Sequence, residues 1–473
     1  MPFDLVFRDA IVVDGTGANR FVADVAVEGD RIAEIGKVTG STRTEINASG
    51  LVLAPGFIDV HTHDDFSLDT TPQMAFKTLQ GVTTVVTGNC GTSVPAFPEW
   101  IKVRRESPAA VNVAALIGHG TIRETVIGRS TDRHATADEL MAMRDEVSRA
   151  FDAGAIGLST GLVYEPGRYS PTEEIEELVR IVAQRNGIYT SHMRNENSGL
   201  VESVRETIDV GRATGVKVQV SHLKAIGEQN AALAQIAVNE IRAAREAGVD
   251  VMADQYPYSR GSTALDQYVS ADSFRGSNNF GFVAADAVMI AFAPHHPEWE
   301  GKSLESIATA MGLGAPEAAE EIVKQEGRAC MVVIANQTEE NIALILKEDF
   351  VMIGSDGIPA GSRPHPRLHH TFPRVLGEYA RNRGVISLET AVHKMTGMSA
   401  QRFSLESRGV IAPGAFADLV LFDFGQVIDT GTYENPTVPP RGILGVWANG
   451  TRTVEDSEPT NTRPGRVLSL MRN

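Results

Sequence analysis

Cysteine is nearly absent. The 473-residue chain has two, Cys90 and Cys330, which excludes a disulfide framework and makes a reducing compartment, the cytoplasm, the expected location. The opening Met-Pro-Phe-Asp-Leu-Val-Phe-Arg-Asp-Ala has neither the basic segment nor the apolar run of a secretion signal. No stretch approaches the ~18–20 apolar residues that span a bilayer. Positive charge is in deficit: 43 Lys and Arg against 60 Asp and Glu leave a net charge of −17, which argues against sequence-independent binding to nucleic acid or to anionic membrane. What is present, 42% apolar and 22% charged residues, suffices for a sizeable core and rules out wholesale disorder. The length allows roughly two or three domains, or one large barrel with additions.

Both ends of the chain read as β-structure. Asp4–Phe7, Ala10–Val13, Val22–Val27 and Arg31–Ile35 are short strands separated by Asp14-Gly15-Thr16-Gly17 and Glu28-Gly29-Asp30, residues that turns require. Gly409–Gly414, Ala417–Asp423 and Val446–Gly450 repeat the texture near the C-terminus. Residues 1–54 together with 402–473 are therefore expected to form one small β-sandwich domain.

The middle has another rhythm. Eight apolar, β-rich runs recur: Gly56–His61, Thr83–Cys90, Val111–His119, Ala155–Thr160, Gly187–His192, Val216–His222, Val249–Asp254 and Phe350–Asp356. Helical windows at Ala137–Ala153, Thr172–Arg185, Leu200–Thr214 and Leu233–Ala247 lie between several of them. Near-continuous apolar strands alternating with amphipathic helices mean a parallel sheet covered on both faces. Eight such units predict a closed (β/α)8, TIM-like barrel over residues 55–401. The interval from Pro257 to Phe350 is too long for a bare loop, so an inserted subdomain or lid is expected at about 259–349, before the last barrel strand. Within it, Ser270–Phe282 reads as a mobile loop.

In a parallel barrel the strand C-termini meet at one face, where ligands collect. Strand 1 ends in His61-Thr62-His63, strand 2 in Cys90, strand 5 in His192, strand 6 in His222 and strand 8 in Asp356. His61 and His63 are two apart, so an extended strand points both to the same side. A single buried histidine is more often a hydrogen-bonded core residue, and a strand-end aspartate is often a helix cap. Coincidence weakens when five strand ends carry such groups in register with the strand count. Imidazole, thiolate and carboxylate together are the donor set that Zn2+ selects. Cys330, inside an apolar run, reads as an inert small hydrophobe. His295, His296, His365, His369 and His370 lie in loops and read as non-ligands. No phosphate-binding glycine spacing implies a nucleotide cofactor.

These residues resemble the amidohydrolase superfamily. More narrowly, His-Thr-His-Asp-Asp (61–65), Gly-Val-Thr-Thr-Val-Val-Thr-Gly-Asn-Cys-Gly (81–91), Ser-His-Met-Arg-Asn-Glu (191–196), Ser-His-Leu-Lys (221–224), Tyr-Pro-Tyr (256–258), Gly-Ser-Asp-Gly-Ile-Pro (354–359), Arg-Pro-His-Pro-Arg-Leu (363–368) and Lys-Met-Thr-Gly (394–397) resemble the D-aminoacylases, which are N-acyl-D-amino-acid deacylases. The resemblance covers nearly the whole chain. It implies a tightly held zinc on Cys90, His192 and His222, and a second, weaker metal position involving His61, His63 and Asp356. Strand 4 ends Leu-Ser-Thr-Gly-Leu without the lysine that other superfamily members use to bridge two metals, and Cys90 stands in for it.

The function so implied is zinc-dependent hydrolysis of N-acyl-D-amino acids to a carboxylate and a free D-amino acid. Asp356 would act as general base and then protonate the departing amine. The substrate's α-carboxylate needs a cationic seat, for which Arg367, with its planar fork, and Lys224 are candidates, joined by the Tyr164 hydroxyl. His119, ending strand 3, is a candidate for supporting the site from behind or stabilising the transition state. Asp64 and Asp65 could orient ligand imidazoles or cap the next helix. The partner is a small N-acylated amino acid. An acidic substrate side chain would want a further cation, Arg260 or Arg275. Dipeptide or cyclic-amide hydrolysis, deamination, and a non-catalytic metal-binding barrel are the alternatives.

Overall fold

The computed structural model describes residues 2–129, 132–275 and 283–470. At its centre eight parallel strands run β1 Phe57–Asp59, β2 Val82–Thr87, β3 Asn112–Gly118, β4 Gly157–Gly161, β5 Ile188–His192, β6 Lys217–Val220, β7 Val251–Gln255 and β8 Val351–Ile353, paired in that order. β1 and β8 close the ring beyond their own ends: Asp356 N–H donates to His61 O at 2.7 Å and His63 N–H to Gly357 O at 3.1 Å. Every run expected from the sequence became a barrel strand. β2 and β3 are buried along their whole length, as a sheet covered on both faces requires.

The covering helices follow their local signals. Ala137–Ala153 starts on a capping box in which Thr136 and Glu139 satisfy each other's backbone. Leu200–Thr214 stops at Gly215, whose φ of 71° is left-handed. The predicted windows and the observed helices differ by at most one residue, as at Thr172–Gln184 and Leu233–Glu246.

Strands from both ends of the chain form one nine-stranded sheet. The strands carrying Phe7 and Trp447 are separated in that sheet by two others, about 14 Å if it were flat. Their rings nevertheless meet edge to face at 4.9 Å, so the sheet curls over itself around Phe7, Val25, Ile32, Leu53, Leu419 and Trp447. Two details differ from expectation. Asp4–Phe7 and Ala10–Val13 are one strand, Phe3–Val12, broken by a bulge where Asp9 takes φ 52°, and Gly409–Gly414 is a turn segment with Gly409 and Gly414 at positive φ.

Between β7 and β8 lies the insertion. It holds an antiparallel sheet of Arg260–Ala264, Met331–Ala335 and Val288–Phe292, with helices Leu304–Met311 and Ala315–Glu326. Leu265, Ile290, Ile322 and Val332 give it a core distinct from that of the barrel, so it is a folded subdomain. Residues 276–282 of the expected mobile loop lie outside the described residues. No described helix is long and apolar enough to cross a membrane.

Candidate active site

The strand ends converge. Cys90 sits just past β2 in the loop Gly88-Asn89-Cys90-Gly91. Gly88, Cys90 and Gly91 all have positive φ (76°, 54° and 74°), and a Cβ on Gly88 would lie 2.0 Å from Leu116 O. Asp65 accepts from Gly88 N–H at 2.7 Å, so it holds this loop. Ser159 of β4 accepts from Gly91 N–H at 3.0 Å, so the strand that lacks a lysine shapes the cysteine turn. His222 and Asp356 are likewise left-handed, with φ of 33° and 50°. Three chemically active non-glycine residues in a disfavoured region mark a place where local strain is held by the surrounding fold.

Sγ of Cys90 lies 3.2 Å from His61 Nε2 and 3.6 Å from His222 Nε2. His222 Nε2 faces His192 Nδ1 at 2.9 Å. Asp356 Oδ1 meets His63 Nε2 at 3.1 Å and His61 Nε2 at 3.5 Å. Donor atoms of His61, Cys90, His222 and Asp356 lie within 4.8 Å of one another, and His192, Glu196 and His222 form a second such set.

Two carboxylates that sequence reasoning missed aim these rings. Asp254, one residue before the end of β7, lies 3.0 Å from His61 Nδ1 and accepts the backbone N–H of His222 at 2.8 Å. Glu196 lies 3.1 Å from His222 Nδ1 and 3.3 Å from His192 Nε2. A carboxylate can only accept, so His61 Nδ1–H donates to Asp254 and the opposite nitrogen turns its lone pair toward Cys90. The signal for Asp254 was its place at a strand end. Glu196 was visible only as part of a motif.

The electrostatics of the cluster call for a cation. Burial alone would push the Cys90 thiol up, but His61 and hydrogen bonds with His192 and His222 outweigh it and hold the thiol well below its ordinary range. Burial likewise works against charged histidines. Hydrogen bonds and charges from Asp356 and Cys90 still push His63 up to about 9, and Glu196 with Cys90 does the same for His192. A thiolate, several imidazoles and a carboxylate gathered at these distances are the donors a zinc ion takes. The edges of a zinc tetrahedron with sulfur and nitrogen ligands, about 3.3–3.6 Å, resemble the Cys90 distances. The residues present fit the metal.

The remaining expected residues fall into two groups. Tyr164 lines a cleft of about 580 Å³ together with His63, Cys90 and Asp356, and its ring packs against His192 at 4.7 Å. Arg367 and Lys224 sit behind this wall. Arg367 Nη1 pairs with Asp356 Oδ2 at 2.9 Å and its guanidinium lies over Tyr256 at 4.6 Å. Lys224 Nζ is 2.6 Å from Glu196 and 2.9 Å from His222 Nδ1. His119 stands apart: its Nε2 faces Glu174 at 2.8 Å, which also binds Arg123. Of the histidines read as non-ligands, His365 accepts the Arg367 backbone N–H at 3.0 Å.

The sequence profile of the amidohydrolase family matches residues 44–454. A D-aminoacylase of Alcaligenes xylosoxydans xylosoxydans is 40% identical, covering 99% of this chain and 98% of that protein. The chain belongs to the amidohydrolase family, in its D-aminoacylase branch. Solved structures within the branch agree with the barrel in detail. One, concerned with the binuclear metal centre of a D-aminoacylase, has a TM-score of 0.92 at 39% identity, covering 99% of this chain and 100% of that one. Another is an N-acyl-D-glutamate deacylase of Bordetella bronchiseptica complexed with zinc and a phosphonate inhibitor, with a TM-score of 0.91 at 36% identity over the same shares. Amidohydrolase membership makes the chain a hydrolase scaffold, and the Cys90 cluster lies at the barrel face where such scaffolds do their chemistry.

Proposed function

We propose that the protein is a zinc-dependent deacylase that hydrolyses N-acyl-D-amino acids to a carboxylate and a free D-amino acid. The observation that carries this is the convergence of the Cys90 sulfur with His61, His192, His222 and Asp356 beside the cleft. Cys90, His192 and His222 would hold the tighter ion, and His61, His63 and Asp356 would form a second, weaker position. Bound zinc supplies Lewis acidity, lowering a water's pKa towards ~7 and polarising a carbonyl.

Asp356 moves the protons. Burial pushes its carboxyl up, yet the Arg367 guanidinium and His63, His61 and His222 outweigh this and hold it well below the carboxylate range. It is therefore ionised at neutral pH and accepts a proton from the attacking water. It then returns that proton to the amine, which leaves poorly as an anion. Arg367 Nε, buried and with no hydrogen-bond partner among the described residues, and Lys224 seat the substrate α-carboxylate from behind the wall. The Tyr164 hydroxyl adds a contact from the cleft side, and His119 supports the wall from its pair with Glu174. The preference for the D enantiomer rests on the branch. The partner is a small molecule, not nucleic acid or membrane, and the compartment is the cytoplasm.

The test is release of amine from N-acetyl-D- and N-acetyl-L-methionine, before and after dialysis against a chelator and after zinc is restored. Turnover of the D substrate that falls with chelation and returns with zinc is the expected result. Full activity in zinc-free protein overturns the metal role, and equal use of both enantiomers overturns the D assignment.

A further inference from the structure

His365 lies outside the metal cluster and is buried all the same. Its ring nitrogens face two backbone groups. Nδ1 accepts the Arg367 N–H at 3.0 Å, and Nε2 lies 2.9 Å from the carbonyl oxygen of Arg260. An amide N–H only donates and a carbonyl only accepts, so one form of the ring makes both contacts, the neutral one with its proton on Nε2. Burial, and then the charge of Arg367, push the His365 pKa well below its ordinary value and keep the ring in that form.

Two tyrosines meet this ring at right angles. Tyr258, just past β7, and Tyr433, from the C-terminal segment, each pack edge to face with centroids 5.2 Å away. Tyr433 also carries the Arg260 guanidinium over its own ring at 4.6 Å. Barrel, insertion and C-terminal segment together fix the plane of one imidazole.

That imidazole in turn fixes the start of the helix Arg367–Arg374. The N–H groups of a first turn have no partner within the helix, and Pro366, which precedes it, has no side-chain acceptor to offer. His365 supplies the acceptor for the first of them. The side chain of the same Arg367 runs to Asp356 Oδ2 at 2.9 Å and to the Ser262 carbonyl at 3.1 Å. Arg260 and Ser262 belong to one insertion strand, which thus gives one carbonyl to His365 and another to the guanidinium. Arg367 is tied to that strand at its backbone, through His365, and at its tip.

We infer that His365 is a positioning residue: anchored on Arg260 and accepting the Arg367 N–H, it sets the guanidinium where that group receives the substrate α-carboxylate. The inference rests on the deacylase reading above and adds to it the group that aims the seat.

The experiment compares kcat/KM for N-acetyl-D-methionine with that for N-acetyl-D-methioninamide, which lacks the α-carboxylate, on zinc-loaded protein. The ratio reads the seat and is not moved by a general loss of active enzyme. Native protein should prefer the acid by about 100-fold or more. In His365→Phe, which fills the space without an acceptor, the ratio should fall about tenfold or more. His365→Asn, whose side-chain oxygen reaches the place of Nδ1, should keep it within about threefold of native. His365→Gln, whose amide reaches the place of Nε2 instead, should lose it as Phe does. In an Arg367→Met background His365→Phe should change the ratio by less than about twofold, because the group it aims is gone.

A ratio unmoved in His365→Phe, or an equal fall in the Arg367→Met background, overturns the inference and leaves the deacylase reading intact. An Asn variant that falls as far as the Gln variant overturns the role given to Nδ1. Native protein indifferent to the carboxylate overturns the seat and this inference together. No turnover of either compound removes the deacylase reading and the inference with it. The Asn and Gln variants decide the matter even should His365→Phe not fold.

Discussion

Arg367 Nη1 lies 2.9 Å from Asp356 Oδ2, and the guanidinium is withdrawn almost completely from solvent. The other carboxylate oxygen meets His63 and His61, at 3.1 and 3.5 Å. Asp356 is thus gripped from two sides, with the guanidinium on one oxygen and the imidazole pair on the other.

Replacing that grip should be visible in pH dependence. In Arg367→Met the chief partner that holds the Asp356 carboxyl down is lost, so its pKa rises and the acid limb of the kcat/KM profile moves to higher pH. A fall in kcat/KM of about 10²–10³ accompanies it. Arg367→Lys keeps the charge but loses the fork, and should lie between. An unmoved acid limb in Arg367→Met contradicts the assignment, and unchanged activity points instead to a reaction that needs no α-carboxylate seat.

The two thiols should differ in reactivity. Cys90 opens on the cleft and is held toward the thiolate, whereas burial pushes Cys330 up to about 12 inside the insertion core. Iodoacetamide at pH 7 should alkylate Cys90 alone in chelator-stripped protein, and added zinc should protect it. Peptide mass spectrometry reads both sites. Labelling of Cys330 in the folded chain, or no protection of Cys90, would count against this picture.

Lys77 is fully buried, 2.7 Å from Asp59, 3.4 Å from Asp64 and 2.9 Å from Ser355 Oγ. It ties β1 to the segment that carries Asp356. Lys77→Met would leave two buried carboxylates without their counter-charge and should cost about 3–5 kcal/mol of stability. Urea unfolding of the two proteins measures it. A loss under 1 kcal/mol would mean that those carboxyls take up protons at little cost.

Acid should destabilise the chain partly through His369. Burial and the charges of His370 and Lys77 lower its pKa to about 4. The folded state therefore binds fewer protons than the unfolded state between about 4 and the ordinary 6.5, so stability is lost as pH falls through that window. Relative to His369→Phe, the native chain should lose about 1 kcal/mol more on going from pH 7 to pH 5, after allowance for its partial exposure. Equal losses in both proteins would show that His369 keeps an ordinary pKa.

Much of this architecture was legible beforehand. Apolar runs ending in His61, Cys90, His192, His222 and Asp356 located the barrel strands, because burial on both faces leaves a local signature. The capped helix at Ala137–Ala153 was equally local. The bulge at Asp9 and the loss of a strand at Gly409–Gly414 were not legible, since β-propensity at an edge depends on which strand lies alongside.

The amino-acid order by itself determined which donor atoms exist and that they end successive strands, for strand period and strand end are properties of neighbours in the chain. Only the tertiary structure decided how they are held. Asp254 behind His61, Glu196 between His192 and His222, and Arg367 against Asp356 are contacts between distant segments. So is Arg328 bound to Asp266. Hydrogen bonds and ion pairs act over about 3 Å. Such distances come into being only when the closed barrel and its packed insertion bring those segments together.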